Sequence, residues 1–289
     1  MLRDLIKSFR VKQWVKNGFI FAGLIFDSQL FNPGPLFRTI IGFLLFNAIT
    51  SAVYLVNDVF DIAVDRQHPE KKNRPIAAGS ISKRAAITTA GVLISISLVG
   101  AFFLSKAFAI ICLTYFITNL LYSKWLKHVP ILDVFIIALG FVLRVAAGIS
   151  LIIVKRFSPW LYVVTTLLAL FMGFGKRRAE LLLFSTNADK RRAVLDGYTV
   201  AFLDQLITIV SSATIVAYSL YTFSAPDLSE NYSMMLTIPF VMYGIFRYQY
   251  LIQVKQSGGA PEETLFKDTP LQVTVFLYAT SVLILFYFF

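Results

Sequence analysis

The chain reads as an all-α, polytopic membrane protein, and three observations predict this. Of its 289 residues, 57% are hydrophobic and 15% aromatic, and the mean hydropathy of +0.71 lies far above the soluble norm. The apolar residues fall in runs close to the ~20 residues that a helix needs to cross hydrocarbon. Lys and Arg gather on alternate connections between those runs, the positive-inside pattern. The net charge of +11 is thus spread between spans and does not form one basic domain. That favours anionic membrane lipids and anionic substrates as partners and argues against nucleic acid. The single cysteine, Cys112, sits in an apolar run, so neither an intrachain disulfide nor a cysteine metal site is expected.

Residues 1–17, MLRDLIKSFRVKQWVKN, alternate apolar and basic positions and carry Trp14, which predicts a helix lying in the membrane interface. Asp27 interrupts the next apolar stretch and no small-residue cleavage site follows, so a retained span is expected there in place of a signal peptide. Nine transmembrane helices are predicted, at about 18–31, 36–57, 84–104, 107–123, 130–154, 158–175, 198–223, 233–251 and 271–289. Lys and Arg in 1–17, 66–84, 124–127, 176–192 and 247–267 then share one face, against Arg38, Lys106, Lys155 and Arg156 on the other. This bias predicts that the N-terminus and the carboxylate stretch are cytoplasmic; the inner (plasma) membrane is the expected location. The longer polar connections, 58–83, 176–197 and 252–270, lie on that same face. One domain, 1–289, is expected, with polar cytoplasmic loops capping its site. The stretch SGGAPEE, 257–263, reads as flexible and is assigned no chemistry.

The stretch around which this arrangement turns is NDVFDIAVDRQHPEKKNRPIAAG, residues 57–79. Helical spacing puts Asn57, Asp61 and Asp65 in a row with Asp58 beside it, directly after the apolar SAVYLV. Carboxylates packed this closely repel unless a cation lies between them. Oxygen donors with no His or Cys among them suit Mg²⁺, which shares its coordination with phosphates. Arg66, His68, Lys71, Lys72 and Arg74 follow and supply donors for phosphate oxygens. The plain alternative is a solvated helix end. The expected site is a Mg²⁺-diphosphate site at a membrane surface.

Three further groups are candidates. In 120–148, Asp133, Ile137, Gly140 and Arg144 share a helix face. Arg144 is inside the span, where an arginine takes either a structural ion pair or a phosphate or carboxylate. Asp133 stands at the cytoplasmic end, after Tyr122, Lys124 and Lys127, while Gly140 and Gly148 leave room for a close helix or a chain-like ligand. In GFGKRRAEL, Lys176 and Arg177 are anion-site candidates or interfacial anchors, and Glu180 is placed to pair with Lys176. Asp204, inside an apolar run, is a further candidate. In RVKQWVKN, Lys12, Lys16 and Asn17 either snorkel to the interface or enter the bundle beside the anion site. His68 and His128 have no second His at ligand spacing and read as surface or substrate-loop residues.

The motif NDxxDxxxD at 57–65, the RPIAAG ending at Gly79 and the apparent spans resemble the UbiA superfamily of intramembrane prenyltransferases. Within it, RVKQWVKN, HPEKKNRPIAAG, YSKWLKHVPILDVFIIALGFVLR and GKRRAEL resemble the decaprenyl-phosphate phosphoribosyltransferase subfamily. The resemblance implies a UbiA-like helical bundle that transfers 5-phosphoribosyl from phosphoribosyl diphosphate to a polyprenyl phosphate with Mg²⁺, for cell-envelope arabinose donor synthesis. It implies metal ligation by Asn57, Asp58, Asp61 and Asp65 and a catalytic role for Asp58, Asp61, Asp65 and Asp133. Substrate contacts would come from Lys16, Asn17, Asn57, Arg66, Lys72, Arg74, Tyr122, Lys124, Lys127, Arg144, Lys176 and Arg177. Self-association is left open. Where UbiA-like prenyltransferases carry a second Asp-rich motif, only Asp133 remains, with Ile137 four residues on, which puts a second metal in doubt. The competing readings are transfer of an allylic prenyl group to an aromatic acceptor and, further off, a transporter, for which acids near mid-membrane and repeated halves would be expected.

Overall fold

The computed structural model describes residues 2–67, 71–154, 158–183, 193–225, 228, 231–255 and 261–288, and those residues hold helices and turns with no strand among them. The expectation at His68 lies outside the described residues, as do residues 184–192 of the polar connection 176–197 and residues 257–260 of SGGAPEE. Two compact units emerge. The first takes in residues up to Ile25, Gln29–Leu126 and Leu143–Val154; the second takes in Phe26–Ser28, Lys127–Val142 and Lys155 onward.

The first unit begins with α1 (Leu2–Ser8), a 3-10 stretch (Val11–Phe21) and α2 (Ala22–Phe26), whose last residue already belongs to the second unit. This corrects the single interfacial helix expected over 1–17. Arg10 adopts a left-handed backbone (φ 52°), which ends α1 and turns the chain inward, so that Asn17 and Ile20 are buried. Helix α3 (Pro33–Phe60) is the central element and packs on the 3-10 stretch, α5 (Lys83–Leu104) and α6 (Lys106–Lys124). Between α3 and α5 lies the short α4 (Ile62–Gln67). One residue joins α5 to α6: Ser105 is extended, its N–H closes α5 on Ala101 O, and its hydroxyl accepts from the Phe108 N–H to cap α6.

Helix α7 (Leu132–Ile149) contributes its second half to this unit. Small residues set the packing. A Cβ added to Gly148 would strike the backbone carbonyl of Ile20, and one on Gly42 would strike the Leu151 side chain. Of the two roles open for Gly148, close approach of backbones is therefore the one observed.

The second unit holds the first half of α7, α8 (Trp160–Leu183), α9 (Val200–Ser224), α10 (Ile238–Gln253), the short α11 (Pro261–Lys267) and α12 (Thr269–Phe288). Its core joins Val134 and Ala138 of α7 to Phe171 and Phe174 of α8, Leu203 and Ile207 of α9, and Tyr248 of α10. Helix α8 does not stop before GKRRAEL, as the apolar run suggests, but continues to Leu183. Arg177 and Arg178 are consequently buried, at 2% and 8% exposure.

That burial is possible because each arginine meets a carboxylate. Arg177 Nε donates to Asp133 Oδ2 at 2.6 Å and its Nη1 donates to Glu180 Oε2 at 2.6 Å. Tyr198 Oη donates to the other Asp133 oxygen at 2.7 Å and accepts the Ile131 N–H. Burial, then the bond to the Asp133 carboxylate, pushes the Tyr198 phenol above its ordinary 10.0, so it stays a donor at neutral pH. Arg178 pairs with Asp204 at 2.6 Å and donates to the Ile252 carbonyl at 2.8 Å. The acid in the α9 apolar run thus answers an arginine on α8. Asp133, expected as a site residue at the end of its span, is fully buried and bonded within this strut.

Among the described residues, six helices are long and apolar enough to cross a membrane: α3, α5, α6, α7, α9 and, as Thr269–Tyr287, α12. The protein is multi-pass. Two more expected spans correspond to α8, which carries the Lys176–Arg178 charges, and α10, of 16 residues. The expected span at 18–31 is instead the end of the 3-10 stretch followed by the five-residue α2.

Gly148→Ala is expected to lower stability by ~1–3 kcal/mol through overpacking, read as a lower thermal midpoint in detergent micelles. Asp133→Ala leaves the buried Arg177 half-paired and strips Tyr198 of its acceptor, an expected loss of ~3–5 kcal/mol. A midpoint equal to wild type would show that Asp133 is not structural.

Candidate functional site

The carboxylate row lies almost wholly on helix. Helix α3 ends at Phe60, because Asp61 leaves helical geometry (φ −92°, ψ 6°), and α4 resumes at Ile62. The ladder survives the break: Asp61 N–H donates to Asn57 O at 2.9 Å and Asp65 N–H to Asp61 O at 2.8 Å. Asn57, Asp61 and Asp65 therefore keep their order along one side. Asp58 and Asp65 are each 2% exposed, while Asn57 and Asp61 are half-buried. Asn57 Oδ1 accepts the hydroxyl of Ser123 on α6.

The loop after α4 turns back over this end. Lys71–Asn73 form one 3-10 turn, and Ala78 N–H bonds Arg74 O at 2.8 Å. Gly79 takes φ 84°, a conformation open to glycine without a side-chain clash. Pro75, Ile76 and Ala77 are buried, with Ile76 packed among Leu55, Ile62, Ile81 and Ala86. The apolar half of RPIAAG thus anchors the loop and fixes its first residue at the acids. Arg74 Nη1 donates to Asp65 Oδ2 at 2.7 Å and to Asp58 Oδ1 at 3.3 Å. Arg66, expected to reach phosphate, donates its Nε to the Ala77 carbonyl at 3.0 Å and so ties the loop to α4. Lys72 is exposed on the same loop and Lys71 is half-buried.

A second arginine comes from the N-terminal segment. Arg10 Nη2 bonds Asp58 Oδ1, and its guanidinium lies 4.6 Å from the centre of the Tyr54 ring. Sequence spacing gave no hint of Arg10, since 48 residues separate the partners. Its only signal was a basic residue in a segment rich in them. Trp14 Nε1 on Ser51 at 3.2 Å and Ser51 Oγ on Phe9 O at 3.3 Å hold this segment on α3.

On α7, Arg144 is 7% exposed. Its Nε donates to Asn17 Oδ1 at 2.7 Å and its Nη2 to Tyr115 Oη at 2.8 Å. The Tyr115 and Phe46 rings lie 4.9 and 5.8 Å from its guanidinium. Asn17 in turn donates to Asn47 Oδ1 at 2.6 Å and Thr50 Oγ1 at 3.1 Å, and the buried Asn47 Nδ2 has no partner. Asn17 therefore enters the bundle, as one of its two expected roles required. Lys16 and Tyr122 are half-buried and Lys124 exposed in this unit. In the second unit, Lys127 and Lys176 are half-buried, and Arg177, also expected at phosphate, is committed to Asp133 and Glu180.

Among the described residues, no three His, Cys, Asp or Glu side chains converge as metal ligands. The donors at Asn57, Asp58, Asp61 and Asp65 still fit a hard divalent ion in kind, being oxygen alone. Two buried carboxylates also require positive charge between them, and here a guanidinium stands in that place.

A family model described as the UbiA prenyltransferase family matches residues 18–267. A decaprenyl-phosphate phosphoribosyltransferase of Corynebacterium glutamicum is 35% identical, covering 93% of this chain and 82% of that protein. One of Mycolicibacterium smegmatis is 34% identical, covering 94% of this chain and 89% of that protein. In fold, the chain is similar to a UbiA homologue from Archaeoglobus fulgidus solved with DMAPP and Mg²⁺, with a TM-score of 0.75 and 19% identity over 99% of this chain and all of that one. The match along most of its length, at this identity, places the chain in the UbiA prenyltransferase family.

Proposed function

We propose that this protein transfers the 5-phosphoribosyl group of phosphoribosyl diphosphate to a polyprenyl phosphate of the decaprenyl type, releasing diphosphate. The observation that carries the reading is the match, over 93% and 94% of the chain, to relatives named for that transfer. The site would lie at the cytoplasmic face of the plasma membrane, where a water-soluble donor and a lipid-borne acceptor can meet. The clustering of Lys and Arg on one face supports that orientation.

Asp58, Asp61 and Asp65, with Asn57, would hold Mg²⁺, which when bound neutralises the departing diphosphate and orients it. The chain's own residues do the rest. Arg74 and Arg10, whose side chains are about a quarter exposed, present guanidinium forks to phosphate oxygens. Lys72 extends the positive charge along the loop, and Lys16 and Lys124 of the same unit would be further phosphate ligands; Lys127 and Lys176, in the second unit, are candidates by charge alone. Arg144 with Asn17 would fix an anionic or hydroxyl group of a substrate deeper in the bundle. The acceptor phosphate is already ionised, so its oxygen forms the bond to the ribose anomeric carbon while the bond to diphosphate breaks, and no protein base is needed. The anomeric carbon gains oxocarbenium character on the way, as in other glycosyl transfers.

Purified protein in nanodiscs, given Mg²⁺, phosphoribosyl diphosphate and decaprenyl phosphate, is expected to release diphosphate. Absence of turnover there, with transfer from an allylic diphosphate to an aromatic acid instead, would overturn the assignment. Asp61→Ala is expected to abolish turnover while keeping the thermal midpoint, because Asp61 is half-buried at a helix junction. An active variant would sink the cation site.

A further inference from the structure

A cation site accounts for acids at the end of α3, but not for two arginines already seated on them. Asp58 and Asp65 have side chains 3% exposed, fixed on consecutive helices, whereas Arg10 and Arg74 are 28% and 26% exposed and reach in from the rim. The acids are the fixed half of each pair and the arginines the movable half. The backbone of Arg10 is held: its N–H bonds Lys7 O at 3.2 Å, and its carbonyl accepts the Gln13 N–H at 2.7 Å. Any movement of this residue therefore belongs to its side chain, which has the face of Tyr54 as a shelf.

We propose that Arg10 and Arg74 are placeholders for the divalent ion, so that the ion enters only in company with a diphosphate group, which takes over the guanidinium groups. The proposal rests on the cation-site reading given above and deepens it. Charge carries the argument. Two guanidinium groups balance the two buried carboxylates, so the acids are never left to repel each other. A divalent ion arriving alone would meet those two positive groups at close range. Diphosphate arriving with it supplies the missing negative charge, and its oxygens match the guanidinium fork as well as a carboxylate does. The exchange is one of partners: acids pass from arginine to metal as arginines pass from acid to diphosphate. Ion and diphosphate then bind with positive coupling.

The test uses the full chain in detergent, with Mn²⁺ as metal probe and inorganic diphosphate as anion probe. Free Mn²⁺ is read by electron paramagnetic resonance, and labelled diphosphate by equilibrium dialysis at saturating Mn²⁺. Arg10→Gln and Arg74→Gln are expected to bind Mn²⁺ alone more tightly than wild type, by roughly 5- to 150-fold, the usual span of such coupling. They are expected to bind diphosphate more weakly by a similar factor. Arg10→Lys, which keeps a charge for Asp58, is expected to fall between and serves if the glutamine variant does not fold. If the arginines are merely structural, Mn²⁺ affinity stays equal or drops and diphosphate binding is unmoved; either result overturns the proposal, as does a wild-type protein that binds no Mn²⁺ even with diphosphate present. Phosphoribosyl transfer with unchanged Mn²⁺ affinity in the variants would sink the placeholders alone. The expected Mn²⁺ pattern without phosphoribosyl transfer would sink only the choice of substrate.

Discussion

Two buried carboxylates, one at the end of an apolar helix and one on the short helix that follows it, are the constraint from which the first unit is built. Asp58 and Asp65 lie where charge is costly, and removing one partner of such a buried pair costs more than the pair itself contributes. The chain answers twice. After α4 it doubles back and buries Pro75, Ile76 and Ala77, which fixes Arg74 over both acids. Before α3, it breaks α1 at a left-handed Arg10 and lays the N-terminal segment on Ser51 and Tyr54. Leu5 and Phe9 pack on the cluster that holds Ile76, so one apolar core seats both arginines.

The other buried charges are met differently, and the contrast separates structure from chemistry. Asp133 and Arg177 have side chains 0% and 2% exposed and satisfy each other with help from Tyr198 and Glu180. A fully enclosed, fully bonded pair has nowhere to move and nothing to offer a ligand. The partners observed at Arg144 are an amide, a phenol and two aromatic faces, and an amide hydrogen on Asn47 remains unused beside them. Arg10 and Arg74 combine buried acids with partly exposed bases. Of the three arrangements, only this one can change partners without opening the core.

Local pattern made much of this legible. Apolar runs of the right length marked the six helices long enough to span, though not the short helix at 22–26, and the four-residue spacing of Asn57, Asp61 and Asp65 put the acids on one side, which the observed hydrogen bonds keep despite the kink at Asp61. For Gly148 the sequence left close packing and room for a ligand both open, because its partner, the Ile20 backbone, has no signal in the sequence. What escaped were partnerships distant in sequence. Arg10 on Asp58, Tyr115 on Arg144 and Tyr198 on Asp133 have no local signature. The boundary of α8 misled for a related reason: Lys176, Arg177 and Arg178 look like the end of a span, because a run of charges normally seeks water. Here Asp133, Glu180 and Asp204 supply the counter-charge, and the helix continues.

The fate of Asp133 bears on the chemistry. UbiA-like prenyltransferases, which this chain resembles, carry a second acidic motif near that position, whereas here both oxygens of the Asp133 carboxylate are already bonded, to Arg177 and Tyr198. What remains available for a cation among the described residues is the row ending at Asp65, with arginines beside it. A diphosphate bound there would meet the guanidinium groups of Arg10 and Arg74 in place of a second metal. In the proposed transfer, the acceptor brings its own negative charge, so a surplus of arginine and lysine over acid is the balance the reaction needs. An aromatic acceptor attacking through carbon would instead call for a base to remove its proton.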